Sequence, residues 1–105
     1  MDELIDILNE IDLPYAYDHF AENESPAPPF VVHLTSGNKN FSADGRAYFK
    51  ANEIHLELYT DKKDPELEGK IEAVLDSHGI FYDKTEIWIE SEKLYEVLFI
   101  FDKEA

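Results

Sequence analysis

The sequence contains no cysteine. Disulfides, thiolate nucleophiles and cysteine-held zinc are excluded together, and a cytosolic location fits. Glycine is scarce: four residues, scattered at 37, 45, 69 and 79, without the spacing of a phosphate-cradling loop. Positive charge is scarce as well, with 9 basic residues against 24 acidic ones and a formal net charge of −15. Such a surface repels phosphate backbones and anionic lipid, which argues against sequence-reading nucleic-acid binding. Its remaining uses are solubility, docking to a basic partner, or lining a passage to which nucleic acid must not stick. No apolar run approaches the length needed to cross a bilayer. The opening "MDELIDILNE" is acidic and amphipathic, unlike a signal peptide. These absences lead us to expect a soluble intracellular protein.

What is present suffices for one packed domain, residues 1–105. Apolar residues make up 44% of the chain, including seven Phe, six Tyr and one Trp, so disorder is not expected. Residues 2–11 read as a helix capped by Asp2, with Leu4, Ile5, Leu8 and Ile11 as its apolar stripe and Pro14 ending it. "LPYAYDHF" looks extended, and the proline-rich "AENESPAPPF" reads as a stiff connector over 21–29. "FVVHLTSG" is strand-like, with Phe30, Val32 and Leu34 on one face and Val31, His33 and Thr35 on the other. Residues 36–46 are rich in Gly, Asn, Ser and Asp and suit a mobile loop. From Arg46 to Thr60 the chain is extended again, Ile54, Leu56 and Leu58 alternating with His55, Glu57 and Tyr59.

The clearest helix follows. Asp64 is a good N-cap, Pro65 suits the first helical position, Glu66 and Glu68 favour the positive end of the dipole, and Gly79 terminates the run. Leu67, Ile71, Val74, Leu75 and His78 keep helical spacing. Strands at 80–91 and 93–102 close the domain. In the last of these, Tyr95, Val97, Phe99 and Phe101 line one face, and Leu94, Leu98 and Ile100 the other, broken only by Glu96. The expected fold is α+β: a four-stranded mixed or antiparallel sheet with two helices packed on one face, in the order α-β-β-α-β-β. Nothing in the chain is then left to cover the second face, so a strand apolar on both sides requires another subunit. Leu94, Glu96, Leu98 and Ile100 are the candidate oligomer interface.

Candidate chemistry is thin. Asp64, Glu68 and Lys70 resemble half of a metal-nuclease signature, but that chemistry wants acid and lysine projecting together from a strand, and here they fall on a helix. His55-Leu56-Glu57 has the His-x-Glu of zinc deaminases without the cysteines they need. His33 and His55 could approach Glu57 as a weak metal site, although cross-strand polar pairing explains them equally. His78 at a helix end is explained by the dipole. The serines lack nucleophile-elbow surroundings, and the aromatics are interleaved with acids rather than bases. Lys62-Lys63 reads as an exposed basic spot. We expect no catalytic residue, no metal and no cofactor.

Taken whole, the chain resembles a known group. "MDELIDILNEIDLPYAYDHF", "SPAPPF", "YTDKKDPELEGKIEAVL" and "ESEKLYEVLFIF" are similar to small prophage proteins of Gram-positive long-tailed phages, encoded in the head–tail joining region near the tail tube protein. That region includes the tail terminators, whose mixed α/β fold forms a hexameric ring capping the tail tube. The resemblance implies a non-enzymatic virion structural protein that assembles with itself as a hexameric ring and meets the tail tube protein and head connector proteins; no membrane partner is expected. DNA would pass through the ring without specific binding. The protein would reside in the host cytoplasm during assembly and at the head–tail junction afterwards. Residues 21–29 and 36–46, with Asn38, Lys39, Asn40, Phe41, Asp44 and Arg46, are candidate partner contacts. Two alternatives are a head-completion adaptor or stopper, and an acidic DNA mimic that occupies a basic partner.

Overall fold

The computed structural model describes residues 3–20, 25–43 and 46–104, with side chains described outside 36–51 and 103–104. Two helices and five strands follow in the order α1 (Glu3–Ile11), β1 (Tyr15–Tyr17), β2 (Phe30–Ala43), β3 (Arg46–Thr60), α2 (Pro65–Ser77), β4 (Asp83–Ile89) and β5 (Leu94–Glu104). The expectation of an α+β chain with one sheet and two helices agrees with this. The expected four strands do not: the sheet has five, ordered β1-β2-β3-β5-β4. The additional strand is the short extended stretch Tyr15–Tyr17, which pairs parallel to β2 through Tyr15↔Val31 and Tyr17↔His33. Asp18, at φ 65°, turns the chain away after three residues.

Local sequence explains both helices. Leu4, Ile7, Leu8 and Ile11 are buried on α1, so Ile7 and not Ile5 belongs to the core stripe. Their spacing of three and four residues keeps one face inward. The helix ends at Asp12, whose left-handed φ of 60° and bond from its N–H to the Leu8 carbonyl (3.2 Å) stop it before Pro14. In α2 the Asp64 carboxylate accepts the Leu67 N–H at 3.1 Å and Pro65 occupies the first turn. At the other end Gly79 (φ 69°) donates to Asp76 O at 2.9 Å and Ile80 to Leu75 O at 3.1 Å, a Schellman closure that draws Ile80 against the core.

Both helices pack on one face of the sheet. Their buried residues form one cluster with Val31 of β2, Ile54, Leu56 and Leu58 of β3, and Val97, Phe99 and Phe101 of β5. The ladder Leu58↔Val97, Leu56↔Phe99 and Ile54↔Phe101 puts these rows side by side. Phe99 is the largest fully buried side chain, and truncating it to alanine would cost about 3–5 kcal/mol. α2 carries the chain from β3 to the outer edge at β4, and β5 returns between them through a hairpin, antiparallel to both. A connection between strands running the same way needs such a crossover.

Residues 36–46 correct a second expectation. Their backbone is strand, not loop, wherever it is described: β2 and β3 stay paired from Phe30↔Tyr59 out to Ala43↔Arg46. An extra residue on β2 between Thr35 and Asn38, and another on β3 opposite Phe41 and Ser42, mark bulges along the way. β5 accompanies β3 only as far as Ala51↔Glu104. Beyond that point the hairpin continues as a two-stranded arm. The radius of gyration is 15.0 Å and the longest extent 49 Å; a compact chain of 100 residues would have a radius of about 13 Å.

Candidate functional site

The face of the sheet opposite the helices is the strongest candidate. Strand alternation sends Phe30, Val32 and Leu34 of β2 to it, opposite Tyr59, Glu57 and His55 of β3. β5 supplies Leu94, Glu96, Leu98 and Ile100 to the same face, and β4 supplies Asp83, Thr85, Ile87 and Ile89. The four proposed interface residues therefore share one surface, and all four are half-buried. A polar row on β3 runs between apolar rows on β2 and β5.

Part of this face is covered from within the chain, contrary to the expectation that nothing remained to cover it. Phe20 meets Phe30 edge-on at 5.3 Å, and Phe30 stacks on Tyr59 at 5.2 Å and 25°. Phe30 and Val32 are both buried. A cavity of about 210 Å³ lies here, lined among others by Phe20, Ser25, Tyr59, Glu92 and Leu94. Of the connector, residues 21–24 lie outside the described residues, as does Asp44 among the partner-contact candidates. The β4 and β5 end is more open, with Ile87 exposed.

The polar row has unusual electrostatics. The Tyr59 hydroxyl donates to Glu57 Oε1 at 2.9 Å. Burial, then the Glu57 carboxylate that accepts its proton, pushes Tyr59 above the ordinary phenol range. Glu96 is raised from the usual carboxylate value by burial first, then by the charge of Glu57 and a hydrogen bond shared with it. These causes disfavour the ionised form of Glu96, so Glu96 retains its proton more readily than an isolated glutamate. A face of this kind, with apolar rows and a carboxyl at Glu96 that resists ionisation, is suited to burial against another surface.

His33 and His55 do not come together. His33 pairs with Leu56 and so stands on the helix side, flanked by the Tyr15 and Tyr17 rings at 6.0 and 5.3 Å. His55 stands on the open face with Nε2 3.3 Å from Glu53 Oε2. The even-odd alternation of two antiparallel strands puts directly opposed residues on one face, and His33 opposes Leu56, not His55. Among the described residues no group of three His, Asp or Glu side chains could hold a metal ion.

The nuclease-like residues are occupied otherwise. Asp64 caps α2 and Lys70 is exposed, whereas Glu68 is buried between Lys63 Nζ (2.7 Å) and Lys84 Nζ (2.9 Å). Lys84 also reaches Glu72 Oε2 at 2.8 Å, Tyr82 donates to Glu72 Oε1 at 2.9 Å, and Lys63 joins Glu86. This network fastens α2 to β4, and Lys63 is part of it and not simply an exposed basic spot. Sequence reasoning missed Glu68 as a buried group. The signal was present: Glu68, Ile71 and Leu75 are three and four apart, so one helical stripe carries all three. His78 is likewise more than a dipole partner, since its ring nitrogens lie 2.9 Å from Glu3 and 2.7 Å from Glu10 and clamp the two helices together. Hydrogen bonding first to Glu10 and then to Glu3 raises its pKa above the ordinary histidine value.

No protein family's model matches the chain, and no curated protein matches it in sequence. No helix among the described residues is long and apolar enough to cross a membrane.

Proposed function

We propose that this chain is a structural protein of the head–tail junction of a long-tailed phage: a tail terminator that forms a ring, caps the tail tube and joins it to the head connector. The observation that carries the reading is the open sheet face, where Leu94, Leu98 and Ile100 form an apolar row that the helices leave uncovered. A second copy of the chain covers that row in the ring, six-fold by the resemblance to tail terminators. The protein works by assembly and not by catalysis, in the host cytoplasm first and then in the virion. Its charge of −15 suits a passage through which DNA slides, because an acidic lumen repels the phosphate backbone.

Light scattering across a wide concentration range, with electron microscopy of the large species, tests this. A closed ring is the expected result, and Leu98→Glu should abolish it by placing a charge in the buried interface. Added tail tubes should recruit the ring to their ends; recruitment to head connectors alone would instead indicate an adaptor or stopper. A monomer at every concentration, with tail tubes present as well as absent, would end the proposal.

A further inference from the structure

Charge is distributed unevenly along the chain. Between Glu24 and Glu53 only Asp44 is acidic, whereas Lys39, Arg46 and Lys50 fall in this stretch with the aromatic residues Phe41, Tyr48 and Phe49. Residues 38–50 carry +2, leaving −17 on the remainder of the −15 chain. The fold places this basic segment at the base of the arm and along it: Lys39 pairs with Ala51 at the last register that β5 shares, and Asn40 with Lys50 and Ala43 with Arg46 lie beyond it.

The open sheet face has the opposite character. Glu53, Glu57, Asp83, Glu96 and Asp102 fall on it by register, and among the described residues it carries no lysine or arginine. Apolar Leu98, Ile100 and Ile87 lie between these acids. A basic, aromatic ribbon and an acidic, apolar face are complementary in both charge and hydrophobicity.

Geometry keeps the two apart within one molecule. The arm continues β2 and β3 in ladder register past the last β5 partner, so it runs away from its own sheet face. A two-stranded ribbon by itself is marginal in water, which favours a surface to lie against. The strand residues described beyond that point, 40–43 and 46–50, reach about 13–17 Å, enough to cross three strands spaced about 4.8 Å apart.

We propose that the arm of each copy docks on the open sheet face of the next copy. This rests on the self-assembly proposed above and assigns its contact. Each chain gives one arm and receives one, so the interface joins two different surfaces head to tail, the kind that closes into a ring when its rotation permits. A two-fold interface that buries the open face against itself is a different arrangement.

Two charge variants test the contact: Lys39→Glu/Lys50→Glu on the arm, and Asp83→Lys/Thr85→Lys on the face, the latter at exposed β4 positions. Each is checked for folding by circular dichroism and compared with the wild type by light scattering. Alone, each variant should be monomeric at concentrations where the wild type is a ring, an association weakened by about 100-fold or more. Mixed one to one, they should re-form a ring of alternating variants, because the face variant's intact arm meets the arm variant's intact face and the two reversed surfaces, acidic arm and basic face, are again opposite in charge. Raising salt should weaken the wild-type ring, since dissolved ions screen the attraction between opposite charges. A folded arm variant that still forms the wild-type ring would overturn the inference while leaving the ring in place. A mixture that stays monomeric, or loss with the arm variant of binding to a DNA duplex while the ring persists, would overturn it too. A wild type monomeric throughout, with tail tubes present, would remove both the ring and its contact.

Discussion

Replacing Lys84 by methionine should destabilise the fold more than replacing Glu68 by methionine, although the two residues share a bond. The asymmetry comes from where each sits. The Glu68 side chain is 4% exposed, and the Lys63 and Lys84 side chains are 42% and 33% exposed. Without Glu68, both lysines return to water and keep Glu86 and Glu72 as partners, while methionine fills the buried site; the net cost should stay within about 1 kcal/mol. Without Lys84, a buried carboxylate keeps one counterion, and Glu72 loses an ion pair. Breaking a fully buried pair costs about 3–5 kcal/mol, but water screens Lys84 and Lys63 remains, so about 2 kcal/mol is the expected loss. Urea unfolding would read this as a midpoint lower by about 1 M.

The double variant should lie close to Glu68→Met alone, giving a coupling of about 1–2 kcal/mol in a thermodynamic cycle. The pH dependence has a definite sign. Burial acts to raise the Glu68 pKa, but hydrogen bonds from Lys63 and Lys84 more than offset it and hold it below its ordinary value of 4.5. Its contribution is therefore present above that value and lost as pH falls through the lower folded value. Lys84→Met removes part of the depression, so its stability should fall at a higher pH than the wild type's. If Glu68→Met proves the costlier substitution, the buried carboxylate is a net stabiliser and the reasoning fails.

The His78 clamp predicts the opposite trend. Its raised pKa means stabilisation fully present below the ordinary value of 6.5 and lost as pH rises through the folded value, so thermal melts of His78→Gln should differ from wild type at pH 5.5 and converge at higher pH. Equal destabilisation across that range would refute a charged clamp. Gly79→Ala should cost about 1 kcal/mol, seen as a melting temperature lower by several degrees, because φ 69° crowds a Cβ against its own carbonyl although no neighbour lies within 4 Å of that position. Lys93, at φ 55° in the β4–β5 turn, bears the same strain, and Lys93→Gly should raise stability by about 1 kcal/mol; a loss of stability would show that its bond to Glu90 outweighs the backbone.

Legibility in the sequence followed the range of the interactions. α2 was readable because Asp64, Pro65 and Gly79 act on backbone groups within a few residues. The faces of β3 and β5 were readable because alternation is a property of one strand. Within 36–46, residues 38–43 were misread because Gly and Asn have low strand propensity, and their strand geometry is set by pairing with residues 46–52. β1 was visible as extended chain but not as a sheet member, since three residues acquire that identity only from β2.

The same division holds for the candidate site. Sequence alone assigned Leu94, Glu96, Leu98 and Ile100 to one side of a strand, and it supplied the acidic charge. Tertiary structure decided that this side stays free of helices, that Phe20 folds over one end of it, and that burial, followed by the charge of Glu57, raises the Glu96 pKa. It also decided that His33 and His55 stand on opposite faces, and that Glu68 meets two lysines distant from one another in the chain. Caps, turns and periodicities act within one element and are written where they operate. Strand order, burial and ion pairing depend on which elements become neighbours, and only packing of the whole chain determines that.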